Sequence, residues 1–180
     1  MKPKLIILSD LWGKTKANWL TYYRTTLSEH FEISFFDCCE LGEINTKDAN
    51  EESLHQQFVN GGIEKAALNL CQLQNESYAI LGFSVGGTIG WKANLNGLKT
   101  KHLFAVSSTR LRTESVKPPA QINLFFGEND RFKPTDQWFK TLGIKPNILN
   151  NQEHTFFENP LDAKMLCERV ISSPVFFHDL

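Results

Sequence analysis

The chain has 180 residues, of which 41% are hydrophobic and 22% are charged, which is ordinary for a single globular domain. Its 19 basic and 20 acidic residues leave a formal net charge of −1, so neither nucleic acid nor an anionic membrane is an expected partner. No apolar run reaches the roughly 20 residues that span a bilayer, and the first residues lack a signal-peptide pattern. We therefore expect one domain over residues 1–180.

The four cysteines contain no C-x-x-C pair, since Cys38 and Cys39 are adjacent and Cys71 and Cys167 stand alone. Zinc-binding and thioredoxin-like sites therefore have little support. The ordinary interpretation of such cysteines is buried, reduced thiols. This pattern predicts a cytoplasmic protein, and we expect no metal and no cofactor.

Short apolar runs alternate with amphipathic segments along the chain. In chain order, the runs predict strands at residues 4–8, 31–36, 78–83, 102–106, 121–126 and 147–149. The spacing of apolar residues predicts helices at residues 17–30, 50–74, 136–142 and 161–171, the second with a kink or break at Gly61-Gly62. This alternation predicts an α/β fold, a three-layer α/β/α sandwich around a mainly parallel six-stranded sheet.

The most informative motif follows the third run, where residues 82–86 (Gly-Phe-Ser-Val-Gly) match the pattern G-x-S-x-G. In parallel sheets, ligands bind beyond the carboxyl ends of the strands. A strand before the motif and a segment that can be helical after it are the context of a nucleophile elbow, which exposes the serine hydroxyl. The alternative is an ordinary glycine-rich turn, and the context favours Ser84 as a nucleophile.

A serine nucleophile needs a base, and the base needs a carboxylate that orients it. Asp130 follows the fifth run and His154 follows the sixth, so both fall at the same edge of the sheet as the serine. Asp130 is the favoured acid, with Glu128 and Asp136 as alternatives. His154 is the favoured base, and His178 is the only other histidine that follows the acid.

With these motifs, the sequence resembles the α/β-hydrolase superfamily, and within it the dienelactone hydrolase-like branch of small esterases. The resemblance rests on residues 9–13 (Ser-Asp-Leu-Trp-Gly), on residues 82–87, and on residues 127–130 together with residues 153–156. The chain order serine, aspartate, histidine is also that of this superfamily. The resemblance implies a minimal hydrolase fold without a lid, because no long insertion follows the fourth run.

The resemblance implies a catalytic triad of Ser84, Asp130 and His154, and an oxyanion hole formed by the backbone N–H groups of Leu11 and Val85. The name-giving enzymes of the branch carry a cysteine nucleophile, and the serine here favours general ester hydrolysis over lactone chemistry. The predicted reaction is cleavage of a small carboxylic ester or thioester through an acyl-enzyme. The expected partner is thus a small-molecule acyl substrate.

Four further side chains are predicted near the site. Trp12 and Phe132 flank it and are candidates for lining an acyl pocket. Arg110 and Arg112 follow the fourth strand, where arginines can bind a substrate carboxylate, although a solvated basic surface is the favoured interpretation.

A non-catalytic binding or signalling protein on a hydrolase scaffold is the main alternative function, because a fold does not determine a reaction. A P-loop has little support, since the Gly13-Lys14-Thr15 sequence has Leu8 where the motif requires glycine. A flavin- or nucleotide-binding protein also has little support, because no G-x-G-x-x-G motif follows the first strand.

Overall fold

The structure is a computed structural model that describes residues 2–173, so the alternative base His178 lies outside the described residues. Six strands form one sheet, and their bounds follow the apolar runs: β1 (Lys4–Leu8), β2 (Glu32–Phe36), β3 (Glu76–Phe83), β4 (Lys99–Val106), β5 (Gln121–Gly127) and β6 (Asn147–Leu149). Neighbouring strands pair in parallel in the order β2-β1-β3-β4-β5-β6. The chain reverses its direction of travel across the sheet between β1 and β3, where α/β proteins form ligand sites.

Helices cover both faces of this sheet and bury its side chains in two cores. The described α-helices are α1 (Leu20–Ser28), α2 (Cys38–Gly42), α3 (Glu51–Gln57), α4 (Ile63–Leu73), α5 (Val85–Leu95), α6 (Asp136–Leu142) and α7 (Pro160–Ile171). Helices α1 and α7 pack on one face, and α2, α4, α5 and α6 pack on the other. Within residues 2–173, no helix is long and apolar enough to cross a bilayer.

The alternation of side chains along the strands explains why both cores exist. In β1, Leu5 and Ile7 enter the core under α1 and α7, whereas Ile6 and Leu8 enter the core under α4 and α5. All four side chains are at most 1% exposed, as expected for a strand buried on both faces. The predicted three-layer α/β/α sandwich with a parallel six-stranded sheet is confirmed.

The long helix predicted at residues 50–74 is divided where the sequence indicates a kink. Helix α3 is followed by a five-residue kink, Phe58–Gly62, in which Asn60 and Gly61 have non-helical backbone angles, before α4 begins. Gly61 has a φ of +114°, a conformation that residues with a Cβ atom rarely adopt. Asn50 caps α3 by accepting a hydrogen bond from the Ser53 N–H at 2.9 Å. This kink separates α3, which lines the functional cleft, from α4, which packs on the sheet.

Candidate active site

Ser84 occupies a strained turn between β3 and α5. Its backbone has φ of +50° and ψ of −116°, a combination that costs a non-glycine residue about 1–3 kcal/mol. Two hydrogen bonds hold this conformation: the Ser84 N–H donates to the Val106 carbonyl oxygen at 2.7 Å, and the Gly87 N–H donates to the Ser84 carbonyl oxygen at 3.2 Å. The turn has the geometry of a nucleophile elbow.

The glycines of the motif are required by close backbone approach. A Cβ atom on Gly82 would lie 2.5 Å from the carbonyl carbon of Gly86, on the other side of the turn. A Cβ atom on Gly86 would collide with the Ser9 carbonyl oxygen and would lie 2.9 Å from the Leu8 Cβ atom. The elbow therefore packs directly on the end of β1 and on the loop that follows it.

Three side chains from three different loops form one hydrogen-bonded chain. The Ser84 Oγ atom lies 3.2 Å from the His154 Nε2 atom, and the His154 Nδ1 atom lies 2.7 Å from the Asp130 Oδ2 atom. Ser84 follows β3, Asp130 follows β5 and His154 follows β6, so the parallel strands bring all three to one edge. The structure thus places these three predicted site residues in the order that nucleophilic catalysis requires.

Asp130 is buried and is held by the backbone around it. Its Oδ1 atom accepts a hydrogen bond from the Phe132 N–H at 3.1 Å. Burial raises the pKa of this carboxyl, but the hydrogen bond and charge of His154 outweigh that effect and hold the pKa below its ordinary value. Of the alternative acids, Glu128 accepts from the Asn151 N–H at 2.9 Å, and Asp136 lies in the first turn of α6. The carboxylate beside His154 is therefore that of Asp130.

The two predicted oxyanion donors are free to bind a ligand. Among the described residues, neither the Leu11 N–H nor the Val85 N–H donates to a protein acceptor. Val85 begins α5, so its N–H lies at the positive end of the helix dipole. Leu11 lies in the loop after β1, on which Gly86 of the elbow packs.

A network of buried polar groups holds the loop that carries Leu11. The Cys39 thiol donates to the Leu11 carbonyl oxygen at 3.2 Å, and the Cys38 thiol donates to the Ser9 carbonyl oxygen at 3.0 Å. Asp37 caps α2 and also accepts the Lys14 N–H at 2.8 Å. The two adjacent cysteines therefore support the backbone beside the site, a role that their spacing in the sequence does not reveal.

Asp10 is a second buried carboxyl next to the site. Its Oδ1 atom accepts the Trp12 N–H at 2.9 Å, which fixes the turn that contains Leu11. Burial raises the pKa of this carboxyl to about 6, because the backbone hydrogen bond and the charge of His154 offset the desolvation only in part. At neutral pH, the buried negative charge of Asp10 therefore lowers the free energy of unfolding.

Replacing Asp10 with asparagine is expected to stabilise the fold above neutral pH by about 3 kcal/mol. The folded-state pKa exceeds the ordinary value of 3.8, so the penalty is absent below that value, grows as the pH rises to about 6, and is constant above it. Asparagine keeps the oxygen that accepts the Trp12 N–H. Urea unfolding of the wild type and of Asp10→Asn at acidic and alkaline pH measures the difference. A difference that did not change with pH would contradict this explanation.

Ser107 links the end of β4 to the loop that carries the base. It is fully buried and has a φ of +52°, which is uncommon for a residue other than glycine. Its Oγ–H donates to the His154 carbonyl oxygen at 2.6 Å, and its N–H donates to the Phe125 carbonyl oxygen at 2.8 Å. Ser107 therefore holds the backbone of His154 in place, a contact that the sequence motifs did not indicate.

Replacing Ser107 with alanine is expected to lower kcat by about 10- to 100-fold with little change in KM, because small displacements of a catalytic group are costly. The neighbouring Ser108→Ala is the matched control, since the Ser108 hydroxyl contacts the Val106 carbonyl oxygen and not the histidine loop. Steady-state kinetics and thermal melts compare the activity and the stability of the two variants. Equal losses of kcat in the two variants would show that Ser107 has no specific effect on His154.

A cleft of about 590 Å³ opens above the serine. Its lining residues come from the loops after the strands and from α3, and they are Leu11, Glu51, Glu52, His55, Ser84, Thr109, Arg112, Phe132, His154 and Thr155. Phe132 lies where an acyl-pocket residue was expected. Trp12 is not among the lining residues, because its ring lies against the Lys16 ammonium, 3.3 Å from the ring centroid.

No protein-family model matches the sequence, and no curated protein matches it significantly. Many solved structures match the fold. The mouse α/β hydrolase domain-containing protein 10 has a TM-score of 0.64 at 11% identity, with 96% of this chain and 89% of that chain covered. An α/β hydrolase enzyme from the sediment metagenome of the Mar Chica lagoon has a TM-score of 0.64 at 12% identity, with 96% and 91% covered.

A dienelactone hydrolase-like promiscuous phosphotriesterase from metagenomic libraries has a TM-score of 0.56 at 11% identity, with 95% of this chain and 86% of that chain covered. The chain therefore has the α/β-hydrolase fold, which confirms the fold expected from the resemblance. Dienelactone hydrolase-like proteins are among the structures that share it. Sequence identities of this size establish a shared fold but not a shared reaction, which depends on the residues of the site.

Proposed function

We propose that this protein is a serine hydrolase that cleaves small carboxylic esters or thioesters without a cofactor. The observation that carries the proposal is the hydrogen-bonded chain from Ser84 through His154 to the buried Asp130. Two further features support it. The N–H groups of Leu11 and Val85 beside the serine have no acceptor in the described part of the chain, and the cleft gives a small substrate access to the serine.

In the acylation step, the Ser84 Oγ atom forms a bond to the acyl carbon and its proton passes to the His154 Nε2 atom. The carbonyl oxygen becomes an oxyanion that accepts hydrogen bonds from the Leu11 and Val85 N–H groups. The bond between the acyl carbon and the leaving oxygen or sulfur then breaks, and the leaving group takes the proton from His154. The ionised Asp130 holds the Nδ1–H tautomer and stabilises the imidazolium.

In the deacylation step, water replaces the alcohol or thiol. His154 takes a proton from the water, and the resulting hydroxide adds to the acyl carbon. The bond to Ser84 Oγ then breaks, the serine regains its proton from His154, and the carboxylic acid leaves. The low pKa of Asp130 keeps its charge available for both steps at neutral pH.

The limited size of the cleft favours small substrates. No lid covers the site between β4 and β5, where the described chain forms only the 3₁₀ turn Thr109–Thr113. A volume of about 590 Å³ is typical of a small-molecule site. We therefore expect turnover to fall as the acyl chain lengthens.

A fluorophosphonate probe tests the proposal, because only an activated serine reacts with it. We expect stoichiometric labelling at Ser84 in the folded protein and none after heat denaturation. A panel of p-nitrophenyl esters, thioesters and lactones run beside the probe would then define the acyl group. If Ser84 stayed unlabelled and no ester were cleaved, the protein would instead be a binding protein on a hydrolase scaffold.

A further inference from the structure

Ser9 is the first residue after β1, and its side chain is fully buried. Its hydroxyl has two backbone partners. The Cys38 N–H donates to the Ser9 Oγ atom at 2.9 Å, and the Ser9 Oγ–H donates to the Asp10 carbonyl oxygen at 3.0 Å. Because a backbone N–H can only donate and a carbonyl oxygen can only accept, these partners determine the direction of both hydrogen bonds. The mechanism proposed above gives this hydroxyl no role.

The acceptor of the Ser9 hydroxyl belongs to the peptide group that carries the Leu11 N–H. The Asp10 carbonyl and the Leu11 N–H are the two ends of one planar peptide unit, so a contact that fixes the carbonyl also fixes the direction of the N–H. The Gly13 N–H donates to the same carbonyl oxygen at 3.3 Å. Both lone pairs of this oxygen therefore have a donor, and the peptide is held firmly at its carbonyl end.

These groups form one hydrogen-bonded chain that ends at the proposed oxyanion hole. It runs from the Cys38 N–H through the Ser9 hydroxyl to the Asp10 carbonyl oxygen. The Leu11 N–H, at the other end of the same peptide, is its last donor. Hydrogen bonds in such a chain polarise one another and strengthen each other by about 10–30% per bond. Water does not screen this effect, since Ser9, Asp10 and Cys38 are at most 4% exposed.

Three other elements hold the backbone of Ser9 in place. From β2, the Phe36 carbonyl oxygen accepts the Ser9 N–H at 3.2 Å. From α2, the Cys38 thiol donates to the Ser9 carbonyl oxygen at 3.0 Å. Gly86 of the nucleophile elbow packs on the same carbonyl oxygen. The hydroxyl of Ser9 therefore starts from a backbone whose position relative to the elbow is fixed.

We propose that Ser9 is a positioning residue for the oxyanion hole, and that it acts through the peptide group that carries the Leu11 N–H. This inference rests on the proposed function. The Ser9 hydroxyl keeps the Leu11 N–H directed at the substrate oxygen and strengthens it as a donor. The benefit is largest when negative charge develops on that oxygen, so it raises kcat and has little influence on substrate binding.

Replacing Ser9 with alanine is expected to lower kcat for p-nitrophenyl acetate by about 10-fold with little change in KM. Removal of a complete oxyanion donor costs about 10²–10³-fold, and this variant weakens one donor without removing it. Each rate is divided by the number of serines that a fluorophosphonate labels, so that unfolded protein does not contribute. Ser77→Ala is the matched control, because the Ser77 hydroxyl bonds Thr100 at the opposite end of the sheet.

A transition-state analogue provides a measurement that a loss of stability alone would not change. When phenyl trifluoromethyl ketone binds, the Ser84 Oγ atom forms a bond to the carbonyl carbon, the serine proton passes to His154, and the carbonyl oxygen becomes an anion in the oxyanion hole. We expect its Ki to rise about 10-fold in Ser9→Ala, in parallel with the fall in kcat. The Ki should be unchanged in Ser77→Ala.

Ser9→Cys repeats both measurements in a variant that keeps a weaker donor at the same place, and we expect effects of about 3-fold. An unchanged kcat per labelled serine in Ser9→Ala and Ser9→Cys would overturn this inference and leave the proposed hydrolase standing. A fall in kcat without a matching rise in Ki would do the same. Absence of both labelling and ester hydrolysis in the wild type would overturn the proposed function, and this inference with it.

Discussion

Ser84→Ala is expected to lower kcat for a p-nitrophenyl ester by about 10⁴-fold or more, since removal of a triad nucleophile leaves only binding and oxyanion stabilisation. Within residues 2–173, the Ser84 Oγ atom is the one group that both faces His154 Nε2 and lies next to free N–H donors. Fluorophosphonate labelling of the same variant should disappear. Hydrolysis by Ser84→Ala at the wild-type rate would show that Ser84 is not the nucleophile.

The free energies of unfolding of two variants at position 84 distinguish a loss of catalysis from a loss of folding. Ser84→Ala keeps a Cβ atom at φ of +50°, so its free energy of unfolding should stay near that of the wild type. Ser84→Gly releases the strain and should be more stable than the alanine variant by about 1 kcal/mol, even though glycine loses more conformational entropy on folding. Both variants should be equally inactive, which assigns the loss of turnover to the missing hydroxyl.

Gly86→Ala is expected to destabilise the fold by about 3 kcal/mol or more and to abolish turnover, because the new methyl group meets backbone that cannot move aside. It would collide with the Ser9 carbonyl oxygen and lie 2.9 Å from the Leu8 Cβ atom. Helix α5 would have to withdraw from β1, which would separate the Val85 N–H from the Leu11 N–H. Chemical unfolding and ester hydrolysis measure the two effects.

Gly90→Ala is the control for Gly86→Ala, because it lies one turn further along the same helix. Its Cβ atom would approach the Ile80 Cγ2 atom at 3.0 Å and the Leu103 Cδ1 atom at 3.1 Å, and both are side-chain methyl groups that can shift. Alanine also gains about 1 kcal/mol of helix propensity over glycine. We therefore expect Gly90→Ala to be nearly neutral. Equal destabilisation in both variants would mean that the collision at Ser9 is unimportant.

The strands and the relative placement of the triad were predictable, because both depend on local pattern and on chain order. A strand buried on both faces needs a continuous apolar run, and the run at residues 4–8 predicted the bounds of β1 without error. Parallel strands place their carboxyl ends together, so residues that follow β3, β5 and β6 must approach one another. The structure brings Ser84, His154 and Asp130 within hydrogen-bond distance. Their catalytic roles stay predictions.

The lining of the cleft was less predictable, because it depends on contacts between segments that are distant in the sequence. Helix α3 lines the site, whereas periodicity assigned it only to a long helix with a kink or break at Gly61-Gly62. Trp12 follows β1 next to the site, yet its ring turns to Lys16. The sequence favours a solvated surface for Arg110, whereas in the structure its Nε atom is buried and the residue lines a small cavity together with Ser84.

The order of the site residues along the chain determines when, during synthesis, the proposed activity can first appear. The nucleophile and both oxyanion donors lie within the first half of the chain, whereas Asp130 and His154 follow the fifth and sixth strands. A nascent chain that has completed β4 already contains the elbow, but it has no base to remove the serine proton. Under the proposed function, acyl transfer can therefore begin only after the last strand and the loop behind it have emerged and docked. If the chain were divided into two fragments in the segment before β5, each fragment alone would be inactive. Reassociation of the two fragments would be measured as restored hydrolysis.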